Sequence, residues 1–441
     1  MKSIFSFLLL CSLVASAQHT ISGTFLPAEN FSNIFLYKSS PSGSTYIERS
    51  AVQPDGSFSF TLDDKTKAGI YKLVYNLPVE ENNFDLIYDG NENIKLSFET
   101  GKELVFEESQ ENMLWTSYLK SINIPMNALS SFYSEEKLEA TSYTKIAHNL
   151  KTIQQDFEEK AEGLLVLEFI KANKPYIPSE MEALGTYFNH VRETFFRSID
   201  FSNPLLQSSD YLTNKVLTFV FDLVSNPNNE FYQEQIDRLA TSIGNDNKTV
   251  QKNYLFLLWQ QFVDMKNNEV ANYISSRYLE KLANDTKDKM LLETIVAHKN
   301  TTLGSVAQNF DIPLTENGQE ITTTLHDLKG SKQYLLIFWS STCGHCLNEL
   351  PKLRDFLKDV PKETLTVVAF GMEDEDSPWK AVIKKFPEFI HVLGLGKWNN
   401  PISDLYGVQA TPSYFLLDKD KKIIAKPEDV EAFEKVFSEM E

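Results

Sequence analysis

The spacing of apolar and polar residues changes character twice along the chain. Over residues 18–108, short apolar stretches alternate with turn residues, and in residues 57–62 every second residue is apolar. A period of two predicts β-strands with one buried face. We therefore expect an all-β, sandwich-like domain over residues 18–108, built as a small antiparallel sandwich.

The spacing between apolar residues changes from a period of two to a helical period at about residue 109. From there to residue 300, apolar residues recur at helical spacing, with breaks at prolines such as Pro175, Pro204 and Pro227. This pattern predicts a helical segment over residues 109–300. Its recurring aromatic residues, Trp259 among them, are interpreted as core residues rather than contacts to a cofactor.

From residue 301 to residue 441, strands and helices alternate. Residues 334–339 and 365–370 are continuous apolar runs, which are typical of strands buried on both faces. Residues 429–440 have the pattern of an amphipathic helix. The alternation predicts an α/β sheet, so the fold class is multidomain: an all-β sandwich-like domain, a helical middle segment and a C-terminal α/β domain.

The first residues have the features of a secretory signal peptide. Lys2 supplies a positive charge, an apolar stretch follows, and Ala15-Ser16-Ala17 suits cleavage after Ala17. The apolar stretch is shorter than the ~20 residues that span a bilayer, and the bulky Leu10 before Cys11 is a poor fit to a lipidation site. We expect residues 1–17 to be removed and the protein to reside in the periplasm or cell envelope without a lipid anchor.

The net charge and the cysteine content limit the classes of function that this chain can have. A formal net charge of -19 argues against a nucleic-acid partner, because the electrostatic interaction would be repulsive. Without the signal peptide, Cys343 and Cys346 are the two cysteines left. They close a very small loop, which would stabilise the fold little, so a redox role is favoured. A zinc site would need a second ligand pair, and no metal is expected.

The local chemistry around the two cysteines supports that role. Ser340, Ser341 and Thr342 are turn or N-cap residues, and a helical pattern follows them. Cys343 would then lie in the first turn of a helix, where unpaired N–H groups and the helix dipole lower a thiol pKa. Cys346, one turn later, is placed to attack a mixed disulfide formed at Cys343.

Five stretches in a fixed order carry a resemblance to a known family. They are Leu303-Gly304-Ser305-Val306-Ala307-Gln308-Asn309-Phe310, Phe338-Trp339-Ser340, Cys343-Gly344-His345-Cys346, Asn348-Glu349-Leu350-Pro351 and, further on, Gly407-Val408-Gln409-Ala410-Thr411-Pro412. The C-terminal third thereby resembles the thioredoxin fold, specifically the TlpA-like or ResA-like extracytoplasmic thiol-disulfide oxidoreductases related to the AhpC/TSA proteins. In exported proteins of this group, a β-rich domain of unknown function and a helical segment also precede the thioredoxin unit.

The resemblance implies an enzyme and a role for each matched residue. Cys343 would attack and Cys346 would resolve. Glu349 would be a buried carboxylate that relays the proton of Cys346, with a raised pKa suited to that work; an exposed helix residue is the alternative. Trp339 would shield the active-site surface or serve as a core aromatic.

The same resemblance implies how substrates are held. Gly344 and His345 would contact the substrate, as would a cis peptide bond between Thr411 and Pro412. No cofactor is implied beyond the redox-active disulfide of the two cysteines. The expected partners are cysteine-containing exported proteins and an upstream membrane or periplasmic redox protein.

Two departures from the family pattern affect these expectations. Ile337 stands where many thioredoxins have an aspartate, which leaves Glu349 as the one nearby candidate carboxylate. The dipeptide Gly344-His345 resembles that of protein disulfide isomerases, and a protonatable histidine beside Cys343 favours the reduced form, which makes the pair more oxidising. The family resemblance implies reduction, so the reaction is interpreted as reduction, with oxidation or isomerisation as the alternative that the dipeptide favours. A non-catalytic binding module and a thiol peroxidase also stay open, although a peroxidase would need a proline in place of Leu336.

Overall fold

The structure is a computed structural model that describes residues 19–440 except 64, 80, 135–137 and 317–318. The described residues form two compact units, which divide between Tyr254 and Leu255. The predicted signal peptide and Cys11 lie outside the described residues.

The first unit contains a β-sandwich, which confirms the all-β prediction. Its two four-stranded sheets have the orders β4-β1-β7-β8 and β3-β2-β5-β6, and Phe25, Leu36 and Leu96 pack in one shared core between them. The strands are β1 His19–Leu26, β2 Asn33–Ser40, β3 Gly43–Ala51, β4 Ser57–Leu62, β5 Gly69–Val74, β6 Asn83–Tyr88, β7 Ile94–Glu99 and β8 Val105–Glu108.

The sandwich differs from the antiparallel prediction in one strand pair. β1 and β7 run parallel, with Ile21 opposite Ile94. The reason is the connection, because the chain passes through β5 and β6 in the other sheet before it returns beside β1. A parallel pair needs such a crossover, whereas neighbouring antiparallel strands are joined by a tight turn.

The middle of the chain is helical, as predicted. The helices are α1 Gln110–Tyr133, α2 Ala140–Lys160, α3 Val166–Ala172, α4 Leu184–Thr194, α5 Pro204–Gln207, α6 Asp210–Leu217, α7 Asn229–Ile243, α8 Lys248–Asp264, α9 Asn268–Ile274, α10 Glu280–Thr286 and α11 Lys289–Thr301, with π-helical turns at Thr218–Asp222 and Ser275–Leu279. Trp259 is buried, as expected of a core residue. The compact units divide inside α8, so the domain boundaries at residues 108 and 300 stay a prediction.

Polar side chains fix the sandwich to the helices of the first unit. The Asn112 side chain in α1 accepts from the Ile87 N–H at 2.9 Å and donates to the Ile87 carbonyl at 2.7 Å. The Lys72 ammonium in β5 lies 2.6 Å from an Asp210 carboxylate oxygen at the start of α6. Both contacts satisfy groups that would be costly to bury without a partner.

The second unit contains a five-stranded sheet of order β13-β12-β11-β14-β15, in which β14 alone runs opposite to the other four strands. A separate hairpin of β9 and β10 precedes it. The elements are β9 Asp311–Glu316, β10 Gln319–Thr324, β11 Gln333–Trp339, α12 Gly344–Phe356, β12 Leu365–Glu373, α13 Asp376–Val382, β13 Ile390–Leu395, α14 Pro401–Leu405, β14 Ser413–Asp418, β15 Ile423–Ala425 and α15 Val430–Met440.

The central strand β11 is buried on both faces, as its continuous apolar run predicts. Leu335 and Ile337 pack in a core with α12 and α15. Leu336 and Phe338 point the other way, into a second core that contains Tyr406. A mixed sheet with this strand order and helices on its faces is a thioredoxin fold, which confirms the predicted class.

Candidate active site

The predicted redox motif follows directly after β11. The strand ends at Trp339, residues 340–342 form the turn, and α12 begins at Gly344 with Cys343 as its N-cap. The Cys343 Sγ atom accepts a hydrogen bond from the Cys346 N–H at 3.2 Å, which satisfies one of the N–H groups that a helix leaves without a partner. Cys343 therefore lies at the helix N-terminus, where the sequence predicts it.

Cys343 is partly exposed, and its Sγ atom lies 3.3 Å from the Thr411 carbonyl oxygen. Burial alone would raise the pKa of this thiol. Contacts with the Cys346 and Thr411 side chains and with the N–H groups of Cys346 and His345 outweigh burial, so the pKa is lowered. The predicted direction is confirmed, and it favours the thiolate that attacks disulfides.

Cys346 has the opposite character. Its side chain is fully buried, and burial, together with the hydrogen bond to Cys343, raises the pKa of its thiol to about 12. Both cysteines are free thiols, so this is the reduced form of the site. One helical turn thus holds an accessible acidic thiol and a buried, weakly acidic one.

The residues expected to contact a substrate surround the accessible sulfur atom. The peptide bond between Thr411 and Pro412 is cis, and the Thr411 carbonyl faces Cys343. Gly344 and His345 are exposed beside Cys343 at the start of α12. These four residues are therefore available to a polypeptide that approaches Cys343.

Trp339 does not lie among the residues that are available to a substrate at Cys343. Its side chain is fully buried, in the core that also contains Cys346 and Tyr414. Trp339 shares the strand face of Leu335 and Ile337, which points toward α12 and away from the surface. The prediction that Trp339 shields the active-site surface and contacts substrate is therefore wrong, and its alternative role as a core aromatic is the one found.

Glu349 is buried, with 3% of its surface exposed, as the resemblance implies. Its carboxylate accepts a hydrogen bond from the Val430 N–H at 2.9 Å and lies 2.6 Å from the Lys352 ammonium. Burial would raise the pKa of this carboxyl, but the contacts with Lys352 and Val430 outweigh burial and lower it. The predicted raised pKa is wrong because Lys352, one turn along α12, supplies a positive charge.

A second buried carboxylate, Glu373, was not expected at this site. It ends β12, has 2% of its surface exposed, and accepts hydrogen bonds from the Ser341 N–H at 2.5 Å and the Ser341 hydroxyl at 2.9 Å. The Ser340 hydroxyl lies 3.5 Å away. Glu373 has no basic partner among the residues that the structure describes. It therefore fixes the turn before Cys343 and corrects the view that Glu349 is the one carboxylate nearby.

Among the described residues, no group of three or more His, Cys, Asp or Glu side chains is arranged to hold a metal ion. The chemistry available at the site is that of two thiols, two buried carboxylates and backbone hydrogen-bonding groups.

Known proteins match this part of the chain. The AhpC/TSA family model matches residues 303–426. Over 126 residues the chain is 32% identical to the thiol-disulfide oxidoreductase ResA of Bacillus thuringiensis subsp. konkukian. This alignment covers 28% of this chain and 67% of that relative.

Solved structures are also similar. A domain of a possible thiol-disulfide isomerase from Cytophaga hutchinsonii is 31% identical, with a TM-score of 0.27 over 31% of this chain and 92% of that one. A thioredoxin-like protein from Bacteroides caccae is 18% identical, with a TM-score of 0.40 over 60% of this chain and 98% of that one. On the strength of the match to ResA, this chain belongs to the family of ResA-like thiol-disulfide oxidoreductases.

Proposed function

We propose that this protein is exported and reduces disulfides in other exported proteins, with Cys343 as the attacking and Cys346 as the resolving cysteine. The observation that carries the proposal is the opposite displacement of the two thiol pKa values, downward at the partly exposed Cys343 and upward at the buried Cys346. A nucleophile must be ionised and accessible, whereas a resolving thiol is best kept protonated until the mixed disulfide has formed.

The reaction balances in two exchanges. The Cys343 thiolate attacks one sulfur atom of a substrate disulfide, that S–S bond breaks, and the leaving thiolate takes up a proton. Cys346 then loses its proton and attacks the Cys343 Sγ atom, which releases the second substrate thiol and forms the Cys343–Cys346 disulfide. Two electrons pass to the substrate, and an upstream membrane or periplasmic redox partner restores the dithiol.

Substrate binding uses the exposed backbone around Cys343. Thr411 and Pro412 would pair with an extended segment of the substrate, while Gly344 and His345 contact the residues next to its cysteine. Such contacts select an accessible cysteine in an unfolded or loop segment. No cofactor takes part beyond the cysteine pair.

The position of Glu373 is our reason for proposing reduction as the direction of the reaction. An ionised carboxylate held at the turn before Cys343 would repel the Cys343 thiolate and so destabilise the reduced form relative to the disulfide. The exposed His345, when protonated, would attract the Cys343 thiolate and so stabilise the reduced form. Because Glu373 is buried, solvent screens its charge less than that of His345.

We expect the Glu373→Gln variant to have a reduction potential roughly 20–40 mV above that of the wild-type protein. The amide keeps an acceptor oxygen for the Ser341 N–H but removes a charge whose interaction with a nearby thiolate is about 1–2 kcal/mol. A redox titration in glutathione buffers, read by alkylation of free thiols, measures the shift.

Ser341→Ala is the matched control for that measurement. It removes the hydroxyl that donates to Glu373 at 2.9 Å but leaves the charge in place. An equal shift in both variants would assign the effect to the geometry of the turn, and an unchanged potential in Glu373→Gln would contradict a role for the charge.

Export rests on the sequence features of residues 1–17. None of the helices among the described residues is long and apolar enough to cross a membrane. We propose a periplasmic or envelope location after cleavage at Ala17, where disulfides in client proteins form and persist.

Insulin reduction tests the proposed function. The protein without residues 1–17 should accelerate precipitation of the insulin B chain over dithiothreitol alone. A binding module would bind reduced or oxidised clients without accelerating the reaction. A thiol peroxidase would instead consume a hydroperoxide in the presence of dithiothreitol and leave insulin intact.

A further inference from the structure

The helical part of the first unit encloses a cavity of about 240 Å³. Its wall includes Met126 of α1, Tyr187 of α4 and Lys215 of α6, together with Tyr176 and Phe195. The volume is below the roughly 300–1,000 Å³ of pockets that hold drug-sized ligands. A ligand here would be a small molecule with an apolar or aromatic body.

Lys215 is the unusual member of this wall. Its ammonium lies 5.5 Å from the centre of the Phe195 ring and 5.7 Å from that of Tyr211, and it has neither a carboxylate partner nor a hydrogen-bond acceptor among the described residues. Burial lowers the pKa of this lysine to about 8. Withdrawing a charge from water without an ionic partner costs free energy, so such charges are normally paired in proteins. Cation–π contacts with two aromatic rings offset only part of this free-energy cost.

The charged neighbours of the cavity do not supply the missing partner. No carboxylate lines the cavity among the described residues. Lys174, which also lines it, lies 3.3 Å from Glu158. Glu182, close to Tyr176, accepts from that hydroxyl at 3.0 Å and contacts His190 at 2.9 Å. An anion that neutralises Lys215 must therefore come from outside the wall.

We propose that this cavity binds a small organic carboxylate, with the Lys215 ammonium against the carboxylate group and the Phe195 and Tyr187 rings against the apolar body. A single ammonium matches one negative charge. A phosphate group would call for several donors, such as an arginine fork or a row of backbone N–H groups, and the wall contains no arginine. This site is independent of the two cysteines and gives the helical segment a function of its own.

The test uses 3-phenylpropionate as the probe and its neutral analogue 3-phenylpropionamide as the comparison, each titrated calorimetrically into the reduced full-length mature protein at neutral pH. We expect the carboxylate to bind about tenfold more tightly than the amide, because only the carboxylate forms a charged hydrogen bond with Lys215. Lys215→Met should weaken carboxylate binding by about the same factor and leave amide binding unchanged. Lys174→Met is the matched control, since that lysine lines the same cavity but already faces Glu158.

Several results would overturn the proposal. They are no binding of 3-phenylpropionate at millimolar concentration, equal affinity for carboxylate and amide, and equal losses in the Lys215→Met and Lys174→Met variants. The comparison of the two probes on the wild-type protein decides the matter even if Lys215→Met fails to fold. Insulin reduction should be the same in Lys215→Met and wild type, so failure of this proposal is distinguishable from failure of the proposed redox function.

Discussion

Replacing Cys343 with serine is expected to reduce insulin-disulfide reduction to the rate of dithiothreitol alone, whereas Cys346→Ser is expected to stall the protein as a mixed disulfide with its substrate. Serine at position 343 cannot attack a disulfide, but its hydroxyl can still accept the hydrogen bond that caps α12, so the fold should be kept. In Cys346→Ser the attacking thiolate remains and the resolving one is missing.

The two variants are told apart on non-reducing gels. Cys346→Ser incubated with oxidised insulin or an envelope extract should form covalent adducts that dithiothreitol releases, and the double variant should form none. Equal activity in the two single variants, or adducts that depend on Cys346 instead of Cys343, would contradict the assigned order of attack.

Glu349→Gln is expected to slow turnover roughly 10- to 100-fold and to accumulate the mixed disulfide. The pKa of Cys346 is about 12, which leaves only about one thiol in 10⁵ ionised at neutral pH. Glu349 lies three residues further along α12, a spacing that places it on the same helix face as Cys346, and we propose that it takes the proton directly or through one water molecule. Its lowered pKa keeps the carboxylate ionised at neutral pH and free to accept a proton, but makes it a weaker base than the raised pKa expected from the sequence would.

Single-turnover kinetics separate the two exchanges in this variant. Formation of the mixed disulfide should keep its wild-type rate, and only its resolution should slow. Glutamine retains an acceptor for the Val430 N–H, so the thermal unfolding midpoint should change little. Unchanged resolution in Glu349→Gln would remove the basis for proton relay.

Lys352→Met is the control that leaves the carboxylate in place. Lys352 is 64% exposed at its side chain, so the substitution should be tolerated. Without the ammonium, the pKa of Glu349 rises, and the acid-side loss of activity should move to higher pH. That shift, with activity at neutral pH largely kept, would separate an ionised relay from a purely structural carboxylate.

The sequence was sufficient to predict the parts of this site that depend on neighbouring residues. The apolar run before the motif predicts β11, because a strand covered on both faces must be apolar throughout. The turn residues before Cys343 predict its placement at the start of α12, although the N-cap is Cys343 itself and not one of residues 340–342. The lowered pKa of Glu349 was also within reach, since Lys352 follows it at a spacing of three in a helix.

The features that the sequence did not predict depend on contacts between residues that are far apart in the sequence. Glu373 binds Ser341 across 32 positions. The pairing of β11 with β12, in which Trp339 lies opposite Gly371, brings the two residues together. The apolar pattern predicted an end to β12 at Phe370. β13 was likewise missed, because it is short and contains Gly394, and its pairing with β12 is what makes it a strand.

The sheet and the chemistry of this protein use different side chains. The turn at Ser341, the exposed Gly344 and His345, and the Glu373 carboxylate lie outside the apolar cores on either face of the sheet. Substitutions at the exposed Gly344 and His345 can therefore alter the reduction potential of the cysteine pair without disturbing either core. The same scaffold can therefore carry a more reducing or a more oxidising cysteine pair, according to the charges that its loops place beside the nucleophile.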